Sequence, residues 1–152
     1  MPDDILKLDN QICFAIYASS REITKLYRPL LLDLGLTYTQ YVTMLALWEQ
    51  DEVTVSALGS KLYLDSGTLT PLLKKLEHAG YVTRTRDKND ERNVLVALTE
   101  QGKSLREKAL DIPEKLFCQL NATPEEGALL VEQMHMLMNK INKLSSKDPS
   151  HQ

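Results

Sequence analysis

Residues 53–98 decide the fold, and they read VTVSALGSKLYLDSGTLTPLLKKLEHAGYVTRTRDKNDERNVLVAL. A short helix is predicted from Ser56 to Tyr63, and a second from Gly67 to His78, which Gly80 ends. The polar pair Asp65-Ser66 separates the two helices. Two short helices around a tight turn are typical of a helix-turn-helix.

The stretch that follows predicts a two-stranded hairpin. Its strands are Tyr81–Thr85 and Asn93–Leu98, and the second alternates apolar with other side chains. Between them lies a highly charged tip, Arg86–Glu91. With the short extended stretch Val53–Val55 in front of the helix pair, the predicted fold class is mostly α with a small β-hairpin wing, a winged helix-turn-helix.

Long helices are predicted on both sides of this region. On the amino side, apolar residues recur at helical spacing from Ile5 over about eight turns, with a kink at Pro29 and a stop at Gly35. A further helix begins at the capping box formed by Thr37 and Gln40.

On the carboxyl side, Thr99 is expected to cap a helix that continues to about Cys118, with a bend at Pro113. Thr123 begins the last helix as a capping box, with Pro124 at the first helical position. That helix carries an apolar seam with the spacing of two heptads: Leu130, Met134, Leu137, Ile141 and Leu144.

The seam has two explanations, burial within one subunit or a helical homodimer interface. The dimer is favoured, because a small helix-turn-helix and hairpin offer little core for two long flanking helices to cover. The predicted organisation is therefore a single subunit over residues 1–152. It has a helical dimerisation region at 1–35 and 100–145 and a winged helix-turn-helix region at 37–98.

The charge is distributed unevenly along the 152 residues. The whole chain has a formal net charge of −3, which by itself argues against a nucleic-acid partner. Residues 53–98, however, hold seven basic and five acidic side chains and carry +2, whereas the remainder holds 11 basic and 16 acidic ones and carries −5. A basic module therefore lies between acidic flanks.

Within the module, the second helix begins with small hydroxyl side chains, Ser66, Thr68 and Thr70, followed by Lys74 and Lys75. Recognition helices insert this end into the major groove, where Ser and Thr bond base edges or phosphates. The alternative for Ser66 is that it merely caps the helix.

The hairpin contributes Arg84, Arg86 and Arg92. A charged tip that follows a helix-turn-helix suits insertion into the narrow minor groove, and an ordinary solvated face is the alternative. Together with the recognition helix, the hairpin predicts double-stranded DNA as a partner.

Other classes of protein find no support. No apolar run approaches the roughly 20 residues of a membrane span, and the first ten residues do not resemble a signal peptide, so a cytoplasmic location without membrane contact is expected. No Cys/His set has zinc-ligand spacing, and no catalytic set or phosphate-binding glycine loop is present. Neither a metal, a cofactor nor an enzymatic activity is predicted.

Long segments resemble a known family. The run Asp90-Glu91-Arg92, followed by Val94, Val96 and LTExG at 98–102, resembles the wing of MarR-type winged helix-turn-helix repressors. More narrowly, four segments are similar to the organic hydroperoxide repressor (OhrR) branch, and the likeness covers nearly the whole chain. These segments are LDNQICFAIYASSRE at 8–22, LYRPLL at 26–31, LTYTQY at 36–41 and LYLDSGTLTPLL at 62–73.

The resemblance implies a homodimer that binds a pseudo-palindromic operator, with Arg92 in the minor groove and Asp90 bracing it. It also gives Cys13 a role that its apolar surroundings alone do not indicate, since a lone cysteine on such a stripe is usually a packed small hydrophobe. Members of the branch carry their peroxide-sensing thiol at this position, stabilised by two tyrosines that correspond to Tyr27 and Tyr38. Simple packing of these tyrosines in the interface is the alternative.

Cys118 resembles the resolving cysteine of the two-cysteine type, which forms an intersubunit disulfide after an organic hydroperoxide oxidises the sensor. The alternatives are a one-cysteine sensor resolved by an external thiol, a repressor released by a non-covalent phenolic ligand, and a thiol peroxidase whose DNA binding is incidental.

Overall fold

The structure, a computed structural model, describes residues 2–146; Met1 and residues 147–152, which belong to the predicted single subunit, lie outside the described residues. The described residues form helices and three short strands. The elements are α1 Pro2–Ile5, α2 Ile12–Leu30, α3 Tyr38–Glu49, β1 Val53–Thr54, α4 Val55–Leu62, α5 Ser66–His78, β2 Val82–Arg86, β3 Val94–Leu98, α6 Glu100–Ala109, α7 Ile112–Leu120 and α8 Pro124–Ser145, with 3-10 turns at Leu8–Asn10 and Leu32–Leu34.

The predicted winged helix-turn-helix is confirmed. Helices α4 and α5 form the pair, and β2 and β3 form the antiparallel hairpin with Val82 opposite Leu98. The extended stretch at Val53 is itself a strand, since Val53 pairs with Val96 of β3. The sheet therefore has three strands in the order β1-β3-β2.

The start of α5 differs from the expectation. The helix begins at Ser66, and Asp65 is its N-cap, with the side chain accepting from the backbone N–H of Thr68 at 2.7 Å. A carboxylate one residue earlier occupies the capping position, so the Ser66 hydroxyl is not needed for that bond.

The first long helix begins at Ile12, so the prediction of one helix from Ile5 is wrong. Hydrogen bonds from two side-chain amides interrupt the helix in the segment before Ile12. Asn10 Nδ2 donates to the carbonyl of Asp4 at 2.7 Å, and Gln11 Nε2 donates to those of Ile5 and Lys7 at 2.7 and 2.9 Å. Side-chain donors thus satisfy carbonyls that a continuous helix would bond through its backbone.

The helix capped by Thr99 ends at Ala109, and the prediction that it continues to Cys118 with a bend at Pro113 is also wrong. A separate helix begins at Ile112 and places Pro113 in its first turn. Proline lacks an N–H but is tolerated there, whereas in a helix interior it would remove a hydrogen bond and clash with the preceding turn.

The chain groups into two compact units, one up to Ile112 and one from Pro113 onward. The first holds a continuous core that joins α3, α4, α5, the sheet and α6, with Met44, Leu47, Leu73 and Val96 fully buried. None of the residues of α2 or α8 is buried in the single chain. Large apolar side chains are exposed on both: Ile12, Phe14, Ile16, Tyr17 and Ile23 on α2, and Leu129, Leu130, Val131, Met134, Met136, Ile141 and Leu144 on α8.

Candidate nucleic-acid interface and thiol site

Helix α5 presents its amino end to solvent because its opposite face is fixed in the core. Leu69, Leu72, Leu73 and Leu76 are buried at helical spacing. On the outer side, Ser66, Thr68, Lys74 and Lys75 are exposed and Thr70 is partly exposed. The hydrogen bond from Thr68 holds the pKa of the Asp65 carboxyl below its usual range, so the cap is charged at neutral pH.

The wing carries a braced arginine at the base of its tip. Arg92 donates from Nε to Asp90 Oδ1 at 3.0 Å and from Nη2 to Oδ2 at 3.1 Å, in the bidentate geometry of strong guanidinium pairs. The pairing lowers the pKa of Asp90 and raises that of Arg92. The Arg92 side chain is nonetheless 90% exposed. Arg86, also exposed, donates to the carbonyl of Glu91 at 2.8 Å.

A cleft of about 990 Å³ separates the wing from the helix pair. Four of the predicted site residues line it: Ser66, Thr70, Arg84 and Arg92. The structure thus brings the start of the recognition helix and the base of the wing to one open surface. Tyr63, 66% exposed and in the left-handed backbone region at the helix-turn-helix turn, lies on the same cleft.

Arg84 differs from the other basic residues predicted to contact DNA. Its side chain is 22% exposed and bonds Glu77 of α5 through Nη2 at 3.1 Å. Glu77 was not predicted as a site residue; the only signal for it in the sequence is an acid seven residues before an arginine, across a helix-to-strand turn.

Cys13 is the second residue of α2, is exposed, and is a free thiol. Cys118 is also exposed and free, on α7. One helical turn after Cys13, Tyr17 accepts a hydrogen bond from Arg21 Nη1 at 2.7 Å, and the guanidinium lies 5.4 Å from the ring centroid.

Tyr27 and Tyr38 pack against each other, with ring centroids 5.0 Å apart. A third ring, the buried Tyr41, lies 5.7 Å from Tyr27 and was not predicted as part of the site. Its position three residues after Tyr38 places it on the same face of α3, which was the available signal. Burial, followed by the neighbouring Tyr41 and Tyr38, raises the pKa of Tyr27 to about 12, so its hydroxyl remains a hydrogen-bond donor at neutral pH.

A separate pocket of about 480 Å³ lies where α2 ends and α3 begins. Its polar side chains are those of Thr24, Arg28, Thr37, Tyr38 and Thr39. Over the described residues 2–146, no helix is long and apolar enough to cross a membrane, and no group of three or more His, Cys, Asp or Glu is arranged to hold a metal ion.

Comparisons with known proteins agree on the type of protein. A family model described as "Transcriptional regulator SarA/Rot" matches residues 25–109. The chain is 48% identical over 140 residues to the organic hydroperoxide resistance transcriptional regulator of Bacillus subtilis, covering 92% of this chain and 95% of that protein. It is 45% identical over 133 residues to SarZ of Staphylococcus epidermidis, covering 88% and 90%.

Solved structures share the fold. Reduced AbfR bound to DNA superposes with a TM-score of 0.76 at 33% identity, over 93% of this chain and 99% of that one. The disulfide form of AbfR, a protein of Staphylococcus epidermidis, superposes with a TM-score of 0.64 at 33% identity, over 91% and 97%. MarR, at 19% identity and a TM-score of 0.77 over 94% and 99%, shares the architecture.

Proposed function

The chain belongs to the MarR/SarZ/OhrR family of transcriptional regulators, and on that premise we propose that it is a DNA-binding repressor inactivated when an organic hydroperoxide oxidises Cys13. The observation that carries the proposal is the exposed thiol at the start of α2, in a chain 48% identical to an organic hydroperoxide resistance regulator. Because the family regulates transcription, the peroxide is a signal and not a substrate for turnover.

In the reduced protein, the amino end of α5 enters the major groove and the wing enters the minor groove. Ser66, Thr68 and Thr70 face base edges or phosphates, and Lys74 and Lys75 follow the backbone. Arg92 extends from the wing, held by Asp90. The DNA-bound structure of AbfR supports this assignment.

The functional unit is a homodimer formed through the amino- and carboxyl-terminal helices. Exposed apolar side chains on α2 and α8 are the support, because a single chain leaves them in water. A dimer also matches a pseudo-palindromic operator, since two equivalent half-sites need two reading helices.

The dimer completes the thiol site. Cys13 and Tyr27 lie 14 residues apart on α2, about 21 Å along a straight helix, so Tyr27 cannot bond the sulfur of its own chain. Tyr27 and Tyr38 of one subunit therefore donate to the Cys13 sulfur of the other. The paired rings and the protonated Tyr27 hydroxyl support this role, and the apolar side chains Phe14 and Ile16 favour an organic peroxide.

The chemistry begins when the Cys13 thiolate attacks the terminal oxygen of the hydroperoxide. The O–O bond breaks, Cys13 becomes a sulfenic acid, and the alkoxide leaves as an alcohol after taking a proton. The Cys118 thiolate of the partner subunit then attacks the Cys13 sulfur; the S–S bond forms, the S–O bond breaks, and the hydroxide leaves as water after taking a proton. A cellular dithiol reduces the bond and is itself oxidised. That AbfR also has a disulfide form supports this route over an external thiol.

The experiment that tests the proposal measures release of an operator duplex, obtained by in vitro selection, after addition of cumene hydroperoxide. Wild type should release the duplex and Cys13→Ser should retain it. Cys118→Ser is the matched control, because it removes the other exposed thiol. Release by Cys13→Ser would refute the sensing role.

Non-reducing electrophoresis of the same samples tests the disulfide step. A covalent dimer is expected from wild type alone. If wild type and Cys118→Ser are both released only when a small thiol is supplied, and neither forms a covalent dimer, the one-cysteine route operates. A monomer in analytical ultracentrifugation at micromolar concentration would refute the proposed homodimer.

A second candidate is a repressor released by a non-covalent phenolic ligand. The pocket at the junction of α2 and α3 favours it, because about 480 Å³ is a usual size for a small-molecule site and Arg28 offers a cation for a carboxylate. Release of the Cys13→Ser variant by a phenolic acid, but not by peroxide, would distinguish this function.

A further inference from the structure

Glu77 connects the recognition helix to the wing through one residue, Arg84. The Glu77 carboxylate accepts from the backbone N–H of Arg84 at 3.0 Å and from its guanidinium Nη2 at 3.1 Å. Glu77 lies in the last turn of α5, and Arg84 lies at the centre of β2, opposite Val96 of β3. One carboxylate therefore fixes both the main chain and the side chain of the wing strand.

The surroundings of Arg84 are unlike those of a residue that binds phosphate. Its side chain is 22% exposed, compared with 90% for Arg92. Its Nε is buried and has no hydrogen-bond partner among the described residues. A guanidinium that already neutralises a carboxylate and is mostly covered has little free charge and few accessible donors for DNA.

We infer that Glu77 and Arg84 are positioning residues that set the wing relative to the recognition helix, and that Arg84 is not itself a DNA contact. This inference rests on the proposed DNA-binding function and replaces the assignment of Arg84 as a contact. The hydrogen bonds from Arg84 also hold the pKa of the Glu77 carboxyl below its usual value, so the pair is charged at neutral pH.

Positioning matters here because the two elements read different grooves. Helix α5 is fixed by its buried leucines, whereas β2 and β3 extend toward a tip of exposed charges. The Glu77–Arg84 pair lies near the base of this projection, so a small change of angle there is amplified at Arg92. Ion pairs with partly exposed partners contribute little to folding free energy, so loss of the pair should alter wing orientation more than stability.

Removal of Glu77, alone and together with Arg84, distinguishes positioning from contact. If the pair positions the wing, Glu77→Ala weakens binding by about fivefold, and adding Arg84→Met to it weakens binding little further. If Arg84 bound phosphate, the added Arg84→Met would remove that contact and weaken binding again. Glu91→Ala, at the exposed wing tip, is the matched control for charge; it should strengthen binding up to about twofold. Binding by Glu77→Ala as tight as that of the control would overturn the inference.

The salt dependence of binding is a second measurement. Substitution of a DNA contact changes it, whereas substitution of a positioning residue does not. Each phosphate neutralised contributes about 0.9 to the slope of log affinity against log salt concentration. Arg92→Met should lower that slope by about one. In protein that already carries Arg92→Met, so that displacement of Arg92 cannot contribute, Arg84→Met should leave the slope unchanged; a further decrease of about one would show that Arg84 is a contact.

Hydrogen exchange without DNA separates this inference from the proposed function. The Arg84 amide, which Glu77 protects in wild type, should exchange faster in Glu77→Ala while amides of α3 retain their rates. If wild type binds no DNA but the Arg84 amide behaves in this way, the proposed function fails and the pairing stands. Unchanged exchange at Arg84 overturns the positioning role even if DNA is bound.

Discussion

Asp90 holds Arg92 by three hydrogen bonds, two from the guanidinium and one from the backbone N–H of Arg92 to Oδ1 at 3.1 Å. The same carboxylate therefore restricts the backbone at the base of the wing tip and the direction of the Arg92 side chain, which is 90% exposed. An exposed side chain held in this way loses less conformational freedom on binding than a free one.

Asp90→Asn is therefore expected to weaken operator binding about tenfold, although it removes a negative charge from the surface proposed to face DNA. The neutral amide cannot accept both guanidinium bonds with a charge-assisted geometry. Fluorescence anisotropy with the selected operator measures the effect, and Glu91→Gln is the control for charge. Equal affinities for the two variants would contradict the bracing role.

Asp65→Ala should lower the melting temperature by about 3 °C, because α5 loses its N-cap, whereas Ser66→Ala should leave it unchanged. The pKa of Asp65 is lowered in the folded protein, so its stabilising effect is present above the ordinary carboxyl pKa and is lost as pH falls through the folded value. The difference between wild type and Asp65→Ala, measured by thermal unfolding, should therefore be constant from pH 5 to 7 and decrease below about pH 4. A larger loss of melting temperature in Ser66→Ala than in Asp65→Ala would show that Ser66 is the N-cap.

Local signals made much of this fold predictable. The capping boxes of Thr37 with Gln40 and of Thr123 with Glu126 form as expected, because all their atoms lie within one helical turn. Where Asp65 and Ser66 stand side by side, both can cap, and only the backbone conformation selects one. Helical spacing alone also did not reveal the amides of Asn10 and Gln11 that prevent a continuous first helix.

Contacts between distant segments could not be predicted in this way. The pairing of Val53 with Val96 depends on how α4 and α5 bring β1 beside the hairpin. Likewise, Glu77 meets Arg84 only because the turn at Gly80, which has a φ of 86°, reverses the chain between them. The proposal that Cys13, Tyr27 and Tyr38 form one site came from family resemblance, since sequence spacing alone places Tyr27 far from Cys13.

Gly59 allows the tight turn between α4 and α5. A Cβ at this position would lie 2.7 Å from the carbonyl oxygen of Leu64, and the Leu64 N–H bonds the Gly59 carbonyl at 2.9 Å. Gly59→Ala is expected to destabilise the fold by about 2 kcal/mol, because backbone atoms must move apart in a packed region. Urea unfolding measures this loss, with the exposed Ser60→Ala as control. Equal free energies of unfolding for Gly59→Ala and Ser60→Ala would show that the turn can accommodate a Cβ at position 59.

The ionisation of Tyr27 predicts a specific alkaline effect. The pKa of Tyr27 is raised to about 12 in the folded protein, so folding favours the protonated hydroxyl. The contribution of this hydroxyl to the free energy of unfolding is complete below the ordinary tyrosine pKa of about 10, and it is lost as pH rises through the folded-state pKa. The stability of wild type relative to Tyr27→Phe should therefore decrease between pH 10 and 12. Tyr63→Phe, which changes an exposed tyrosine, is the control. A constant difference across that range would contradict the partial burial of Tyr27.

The same hydroxyl should act on the proposed sensor across the dimer. If Tyr27 of one subunit donates to the Cys13 sulfur of the other, Tyr27→Phe removes a hydrogen bond to a developing thiolate and keeps the ring packing with Tyr38 and Tyr41. Such a bond contributes enough to slow oxidation of Cys13 by about tenfold. Operator affinity of the reduced protein should stay unchanged, because the rings remain in place. The rate of oxidation is measured by trapping the sulfenic acid with dimedone in Cys118→Ser, where the disulfide cannot form.

Mixing Cys13→Ser and Tyr27→Phe chains then tests whether Tyr27 donates to the Cys13 of its own subunit or to that of the partner. In the heterodimer, the only Cys13 faces the intact Tyr27 of the other chain, so the fast rate should return; a slow heterodimer would place the donor within the same subunit.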